Sequence, residues 1–297
     1  MTLSRRALAR LPFLAPLLAG CSPTGLANAL TPGSGYALQR SIAFRPGPRG
    51  TLDLYTPDGV APEAPLLVFF FGGGWRNGAK EDFLFAAQAL TTLGCVVAVP
   101  DYRLFPEVRW PDFVGDGADA VRFLRNGPAA GRPIFLMGHS AGAFTAAALA
   151  TDPRWLGLEG RNSLRGLIGL AGPYEFQPEE PEHVALFAAQ PGGQARVTPP
   201  DDAALRGAPP ALLLHGLTDD TVAPERSREL AAKLREAGSA VRLIEYPSVG
   251  HIGIIAALAA PVRGLGLAGA PVLGDIAAFL RENSAAPAEA LPQRAGV

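Results

Sequence analysis

The feature that most constrains the fold is an alternation of two kinds of segment. Nearly unbroken apolar runs recur near residues 66–71, 95–100, 133–138, 165–170 and 210–215. Helical patterning falls between or after them, near 81–93, 112–126, 141–150, 224–237, 252–259 and 272–282. A strand that is apolar along its whole length needs cover on both faces, and parallel neighbours need long crossovers; helices meet both needs. Two earlier segments, near 38–44 and 50–55, alternate with period two, as an exposed antiparallel edge should, and a last strand falls near 240–246. The pattern predicts an α/β chain with a mostly parallel eight-stranded sheet and helices on both faces. Pro111 and Pro224 stand at helix starts, where a missing N–H costs nothing, and Gly94 and Gly238 stand at helix ends. Hydrophobic residues at 48% against 18% charged exclude a disordered chain, and 297 residues can bury one core without disulfides. A formal net charge of −1 offers no basic field for nucleic acid.

The two ends differ from the middle. Arg5, Arg6 and Arg10 precede an apolar stretch at 11–20, too short to span a bilayer, for which about 20 residues are needed. Residues 1–20 are therefore expected to be a secretory signal. Leu18-Ala19-Gly20-Cys21 resembles the lipobox of bacterial lipoproteins, which implies cleavage before Cys21, a lipid on its sulfur and a membrane anchor there. Ser4-Arg5-Arg6 also resembles a twin-arginine export signal. By the same resemblance, Ser22 after the lipidated cysteine implies the outer membrane of a Gram-negative envelope. Residues 21–36 read as a lipidated tether, 37–283 as the folded domain and 284–297 as a disordered Ala/Pro-rich tail. Residues 175–202 read as an excursion over one end of the sheet. The apolar stretch 252–274 is broken by Pro261 and Arg263, so a surface helix and loop are expected there, not a span. Cys95, in an apolar strand, is expected to be a buried and inert thiol.

The chemistry concentrates in a few motifs. Gly138-His139-Ser140-Ala141-Gly142 joins an apolar strand to an Ala-rich helix. A serine on such a tight strand-to-helix turn is presented as a nucleophile at a helix N-terminus, with glycines where side chains have no room. Gly72-Gly73-Gly74, at the end of another strand, leaves backbone N–H groups free to hold an oxyanion together with the amide of Ala141. A phosphate loop does not fit this stretch, because Ala79 stands where its lysine is needed. Of the four histidines, only His251 comes late enough for a suitable acid to lie between it and the serine, in the order Ser, acid, His. The turn at Gly216-Leu217-Thr218-Asp219-Asp220 offers two neighbouring carboxylates; spacing favours Asp219 over Asp220, with Asp201 and Asp202 as distant alternatives. Trp75 and Phe71 are candidates for lining a substrate pocket, and Arg103 for an ion pair that fixes its loop. No metal or organic cofactor is called for, and Cys/His spacing for zinc is missing from the sequence.

With these motifs in hand, the chain resembles α/β-hydrolases of the bacterial carboxylesterase group, near their feruloyl-esterase-like and arylformamidase-like branches. The resemblance covers residues 40–282 and rests on F-G-G-G-W at 71–75, P-D-Y-R-L at 100–104, G-H-S-A-G at 138–142, H-G-L-T-D at 215–219 and G-H-I-G at 250–253. It implies Ser140, Asp219 and His251 as a catalytic triad, an oxyanion hole at Gly73, Gly74 and Ala141, and small-molecule esters of short acyl groups, acetyl or feruloyl, as substrates. One departure stands out: the family usually has His before the three glycines, where this chain has Phe71. Amide cleavage by the same triad, as in an arylformamidase, is the alternative within enzymes. A non-catalytic binding lipoprotein of the envelope is the alternative outside them.

Overall fold

A computed structural model describes residues 23–190, 193–198 and 202–284. All eight expected strands form, and they lie in one sheet: β1 (Tyr36–Ala43), β2 (Thr51–Pro57), β3 (Leu66–Phe70), β4 (Val96–Pro100), β5 (Ile134–His139), β6 (Leu164–Leu170), β9 (Ala211–Gly216) and β10 (Val241–Tyr246). Two short strands, β7 (Glu175–Phe176) and β8 (Ala195–Arg196), pair separately within the 175–202 excursion. The sheet order is β1-β2-β4-β3-β5-β6-β9-β10, with β2 antiparallel to β1 and β4 and the other pairings parallel. Every residue of β3, β4, β5 and β9 is buried, which is why these segments read as unbroken apolar runs.

The chain passes from β3 to β4 in one direction and from β4 over β3 to β5 in the other. Right-handed crossovers then put α2 (Leu84–Thr91) on one face and α3 (Asp112–Asn126) and α4 (Ala141–Thr151) on the opposite face. The reversal leaves a crevice at the C-terminal ends of β3 and β5, where such sheets bind ligands. The glycine loop leaves β3 there and the Ser140 turn leaves β5. Helices α7 (Glu225–Glu236) and α10 (Val272–Asn283) complete the cover, with Phe279 of α10 edge-on to Phe135 of β5. No helix among the described residues is long and apolar enough to cross a membrane. The stretch 252–274 instead contains α8 (His251–Ala256) and α9 (Ala260–Gly264), with a loop before α10.

Three segments depart from expectation. Residues 23–29, read as part of a tether, form helix α1 (Pro23–Ala29). Its Asn28 side chain ties it to the domain: Nδ2 donates to the carbonyl of Glu81 (2.8 Å), and Oδ1 accepts from the amide of Phe85 (3.0 Å). Helix α5 (Pro153–Asn162) follows α4 directly, started by the Asp152 carboxylate on the Arg154 amide and kinked at Gly157. Helix α6 (Pro181–Phe187) lies in the excursion and buries Leu186 and Phe187. Cys21, the expected signal at 1–20, Asp201 and the expected tail from 285 onward lie outside the described residues.

Candidate active site

The site is built on the turn from β5 into α4. Ser140 sits at φ 53° and ψ −124°, a left-handed conformation costing a non-glycine residue about 1–3 kcal/mol. The surroundings enforce it. The Ser140 amide donates to Leu170 O (2.9 Å), and its carbonyl accepts from Ala143 N (2.9 Å). A Cβ on Gly138 would stand 2.2 Å from Gly142 O, and one on Gly142 would stand 2.0 Å from Phe70 O. Only glycine fits at either position.

His251, the first residue of α8, reaches this serine from the other side. Its Nε2 lies 2.9 Å from Ser140 Oγ and its Nδ1 lies 2.8 Å from Asp219 Oδ2. The second oxygen of Asp219 accepts N–H bonds from Thr221 (2.9 Å) and Val222 (2.8 Å). Burial works to raise the Asp219 carboxyl, but the Val222 and Thr221 amides and the His251 imidazole outweigh it, so its pKa lies below the ordinary value. The carboxylate thus stays charged and orients the imidazole with a proton on Nδ1, leaving Nε2 to accept from the serine. Asp220, the other candidate acid, is exposed and takes only the Thr221 hydroxyl, at 3.3 Å.

Two further histidines, set aside by sequence reasoning, support this row. His215 is wholly buried; its Nε2 lies 2.9 Å from Val222 O and 3.2 Å from Asp219 Oδ2, and its Nδ1 lies 2.7 Å from Ser227 Oγ. Because a carbonyl only accepts, His215 carries its proton on Nε2 and takes the Ser227 hydroxyl on Nδ1. His139 likewise donates from Nε2 to His251 O (3.1 Å), tying the α8 start to the elbow. Burial above all, then the nearby His251 imidazole, pushes the His139 pKa down to about 3, so it is neutral. The adjacency of His215 to Gly216 at a strand end was the available signal for its position.

The glycine loop closes on the same serine. Gly73 and Gly74 have φ of 138° and 61°, and Gly73 O accepts from Arg76 N (3.1 Å) and Asn77 N (3.0 Å). Neither the Gly73 nor the Gly74 amide donates to a backbone acceptor among the described residues. Ala141, first in α4, has an N–H with no acceptor inside its own helix. The three amides expected to hold an oxyanion are therefore unspent. Tyr102 Oη donates to Phe71 O (2.8 Å) and anchors the loop's base. Arg103, as expected, makes a forked pair with Asp116, Nε to Oδ2 at 3.0 Å and Nη2 to Oδ1 at 2.7 Å.

A cavity of about 760 Å³ opens above Ser140 and His251. The glycine loop lines its base; α1, α8, α9 and the loop after α9 wall it with Leu26, Leu30, Ile255, Val262 and Leu265. Phe71 and Trp75, the expected lining residues, are not among those that line it. The Phe71 ring stacks on Tyr102 (4.6 Å between centroids) and Phe83 (5.5 Å). Trp75 is 2% exposed and packs against Phe113, Phe144 and Phe187. Between them the chain offers the cavity only glycine backbone, so the flanking rings turn into the core. His183, in the excursion, lines the cavity and was passed over in the sequence.

The fold agrees with comparisons to known proteins. A propionate-bound esterase from the Planctomycetes species Thermogutta terrifontis superposes with a TM-score of 0.65 at 25% identity, over 86% of this chain and 98% of that one. The chain has the α/β-hydrolase fold. A family model described as BD-FAE matches residues 52–165 of the chain, and one described as prolyl oligopeptidase family matches residues 192–260. A probable isoprenylcysteine alpha-carbonyl methylesterase of Oryza sativa subsp. japonica is 29% identical over 252 residues, covering 76% of this chain and 60% of its own length. Esterase LipC of Mycobacterium tuberculosis is 28% identical over 241 residues, covering 73% and 60%. The chain thus spans about 60% of the length of these curated relatives.

Proposed function

We propose that this α/β-hydrolase cleaves carboxylic esters through a Ser140–His251–Asp219 triad. The observation that carries the reading is the unbroken row of hydrogen-bond distances, 2.9 Å from Ser140 Oγ to His251 Nε2 and 2.8 Å from Nδ1 to Asp219 Oδ2. Ser140 Oγ attacks the carbonyl carbon while His251 Nε2 takes its proton. The carbonyl oxygen becomes an oxyanion facing the amides of Gly73, Gly74 and Ala141, in reach of the α4 N-terminus. The tetrahedral adduct collapses, the bond to the alcohol oxygen breaks, and His251 returns the proton to that oxygen. Water, deprotonated by His251, then attacks the acyl-serine; the serine leaves with the proton and the acid is released. Esterases and methylesterases outnumber a kynurenine formamidase of Danio rerio among the relatives, which favours esters over amides. The apolar cavity wall favours an apolar acyl or alcohol portion over a sugar. The Leu18-Ala19-Gly20-Cys21 ending supports a lipid anchor on Cys21 and a place in the cell envelope.

The test is a panel of p-nitrophenyl esters of increasing acyl length. Wild type should cleave them, and Ser140→Ala should lose at least about four orders of magnitude in kcat. A fluorophosphonate probe should label wild type and not Ser140→Ala. Equal turnover by the two proteins, or no labelling of folded wild type, would reject the esterase reading in favour of a binding lipoprotein.

A further inference from the structure

Single exposed apolar side chains are ordinary on a protein surface, but their convergence on one place is not. Among the described residues eight large apolar side chains stand exposed: Leu26, Leu30, Leu158, Val184, Leu217, Ile252, Leu265 and Leu267. Five of these line one cavity, the one above Ser140: Leu26 at 40% exposure, Leu30 at 55%, Ile252 at 62%, Leu265 at 72% and Leu267 at 69%. They come from three stretches of chain: α1 and the turn after it, the start of α8, and the loop after α9. Each lines the cavity and is also exposed to solvent, so together they form an apolar rim.

The position of α1 bears on what covers that rim. Pro23, the first residue of α1, lines the same cavity, and α1 is fastened to the domain by Asn28. Cys21, the lipid acceptor read from the lipobox resemblance, lies two residues before Pro23. Two residues of chain reach about 7 Å at most. A lipid on Cys21 would therefore be attached beside the cavity mouth with no slack, where a free tether over 21–36 would have let the domain turn in any direction.

We infer that the rim seats the cavity mouth on a lipid bilayer, and that the substrate class is a carboxylic ester whose apolar portion is dissolved in that bilayer. Rim leucines enter the boundary between headgroups and acyl chains, in the manner of a shallow amphipathic anchor. An ester then moves from the lipid phase to Ser140 along an apolar wall without crossing water. The substrate part of this inference rests on the esterase reading; the seating does not.

The experiment separates the two. A chain beginning at position 21 and carrying Cys21→Ser, which has no lipid acceptor, is floated with vesicles of equimolar phosphatidylethanolamine and phosphatidylglycerol. It should float with the vesicles, and adding Ser140→Ala should leave flotation unchanged. The pair Leu265→Asp and Leu267→Asp should lower vesicle partitioning at least about a hundredfold, and Leu158→Asp, outside the rim, should not lower it. Hydrolysis of a long-chain umbelliferyl ester dissolved in the vesicles should fall at least tenfold more in the rim pair than hydrolysis of p-nitrophenyl acetate in water does. A chain that stays in the aqueous phase, or one that Leu158→Asp releases as fully as the rim pair does, overturns the seating. So does a chain that stays aqueous as a dimer dissociated by the rim pair, which would give the rim to a second copy. No hydrolysis of either ester by any variant, with flotation intact, overturns the esterase reading alone.

Discussion

His139 gives the site a calculable weakness toward acid. Its ring is 4% exposed; Nε2 donates to His251 O at 3.1 Å, and Nδ1 has no hydrogen-bond partner among the described residues. Protonation would place a charge and an unmatched N–H in the core, which is why the pKa falls from 6.5 to about 3. In the unfolded chain this histidine binds its proton near pH 6.5. Above that pH both states are neutral and the term vanishes. Below it the unfolded state holds a proton that the folded state refuses, so acidification favours unfolding until the folded pKa is reached. The resulting loss of stability is about 2 kcal/mol near pH 5 and about 4 kcal/mol near pH 3. The perturbation is His139→Gln, whose amide can still donate to His251 O but does not titrate. Urea unfolding near pH 7 and near pH 5 gives the two stabilities for each protein. Wild type should lose about 2 kcal/mol more than the variant between these pH values, because other titrating groups cancel in the difference. Equal losses in the two proteins would show that His139 takes up its proton in the folded state and would refute the reasoning.

Two other substitutions separate roles within the site. Asp219→Asn should lower kcat about 10³- to 10⁴-fold by turning the His251 imidazole to the wrong tautomer, and Asp220→Asn should leave kcat near wild type; steady-state kinetics decides between the two carboxylates. Tyr102→Phe removes the only side-chain hydrogen bond to Phe71 O recorded among the described residues; it should cost about 1–3 kcal/mol in urea unfolding and lower kcat with little change in KM, since it loosens the loop that carries the oxyanion amides.

Much of the scaffold is legible in the residues because its signals are local. An apolar run of five or six residues declares a two-faced strand, and the eight expected strands all lie in the sheet. The serine elbow is as plain, since Gly138 and Gly142 are demanded by contacts within a few residues or with the neighbouring strand. What escaped detection is held by distant partners. Helix α1 has a small-residue sequence, Pro-Thr-Gly-Leu-Ala-Asn-Ala, with no amphipathic period, and it is kept in place by Asn28 bonding to residues more than fifty positions away. Helix α5 hides behind Gly157 and Gly160, although Asp152-Pro153 carries a start signal. Between Asp219 and Asp220 the sequence offers only spacing; the choice is made by a turn in which Asp219 N bonds Gly216 O at 3.2 Å.

The departure at position 71 shows how a loop can keep its pose when the expected side chain is absent. A histidine before the three glycines would be free to hold the loop through its ring. Phe71 has no polar group to offer, and its ring is stacked between Tyr102 and Phe83. The hold passes instead to the backbone of the same residue, through Tyr102 Oη on Phe71 O, and that tyrosine is wholly buried. Gly72 then packs so closely on the elbow that a Cβ there would meet His139 Nδ1 at 2.8 Å and the Ser140 Cβ at 3.1 Å. The loop is thus clamped from two sides, by a phenol at its base and by the elbow at its first glycine. Neither clamp depends on which side chain stands at position 71 as long as that side chain fills the space against Tyr102. A phenylalanine there is compatible with a preorganised pair of amides, and the positioning of the loop falls to Tyr102, where position 71 alone gives no sign of it.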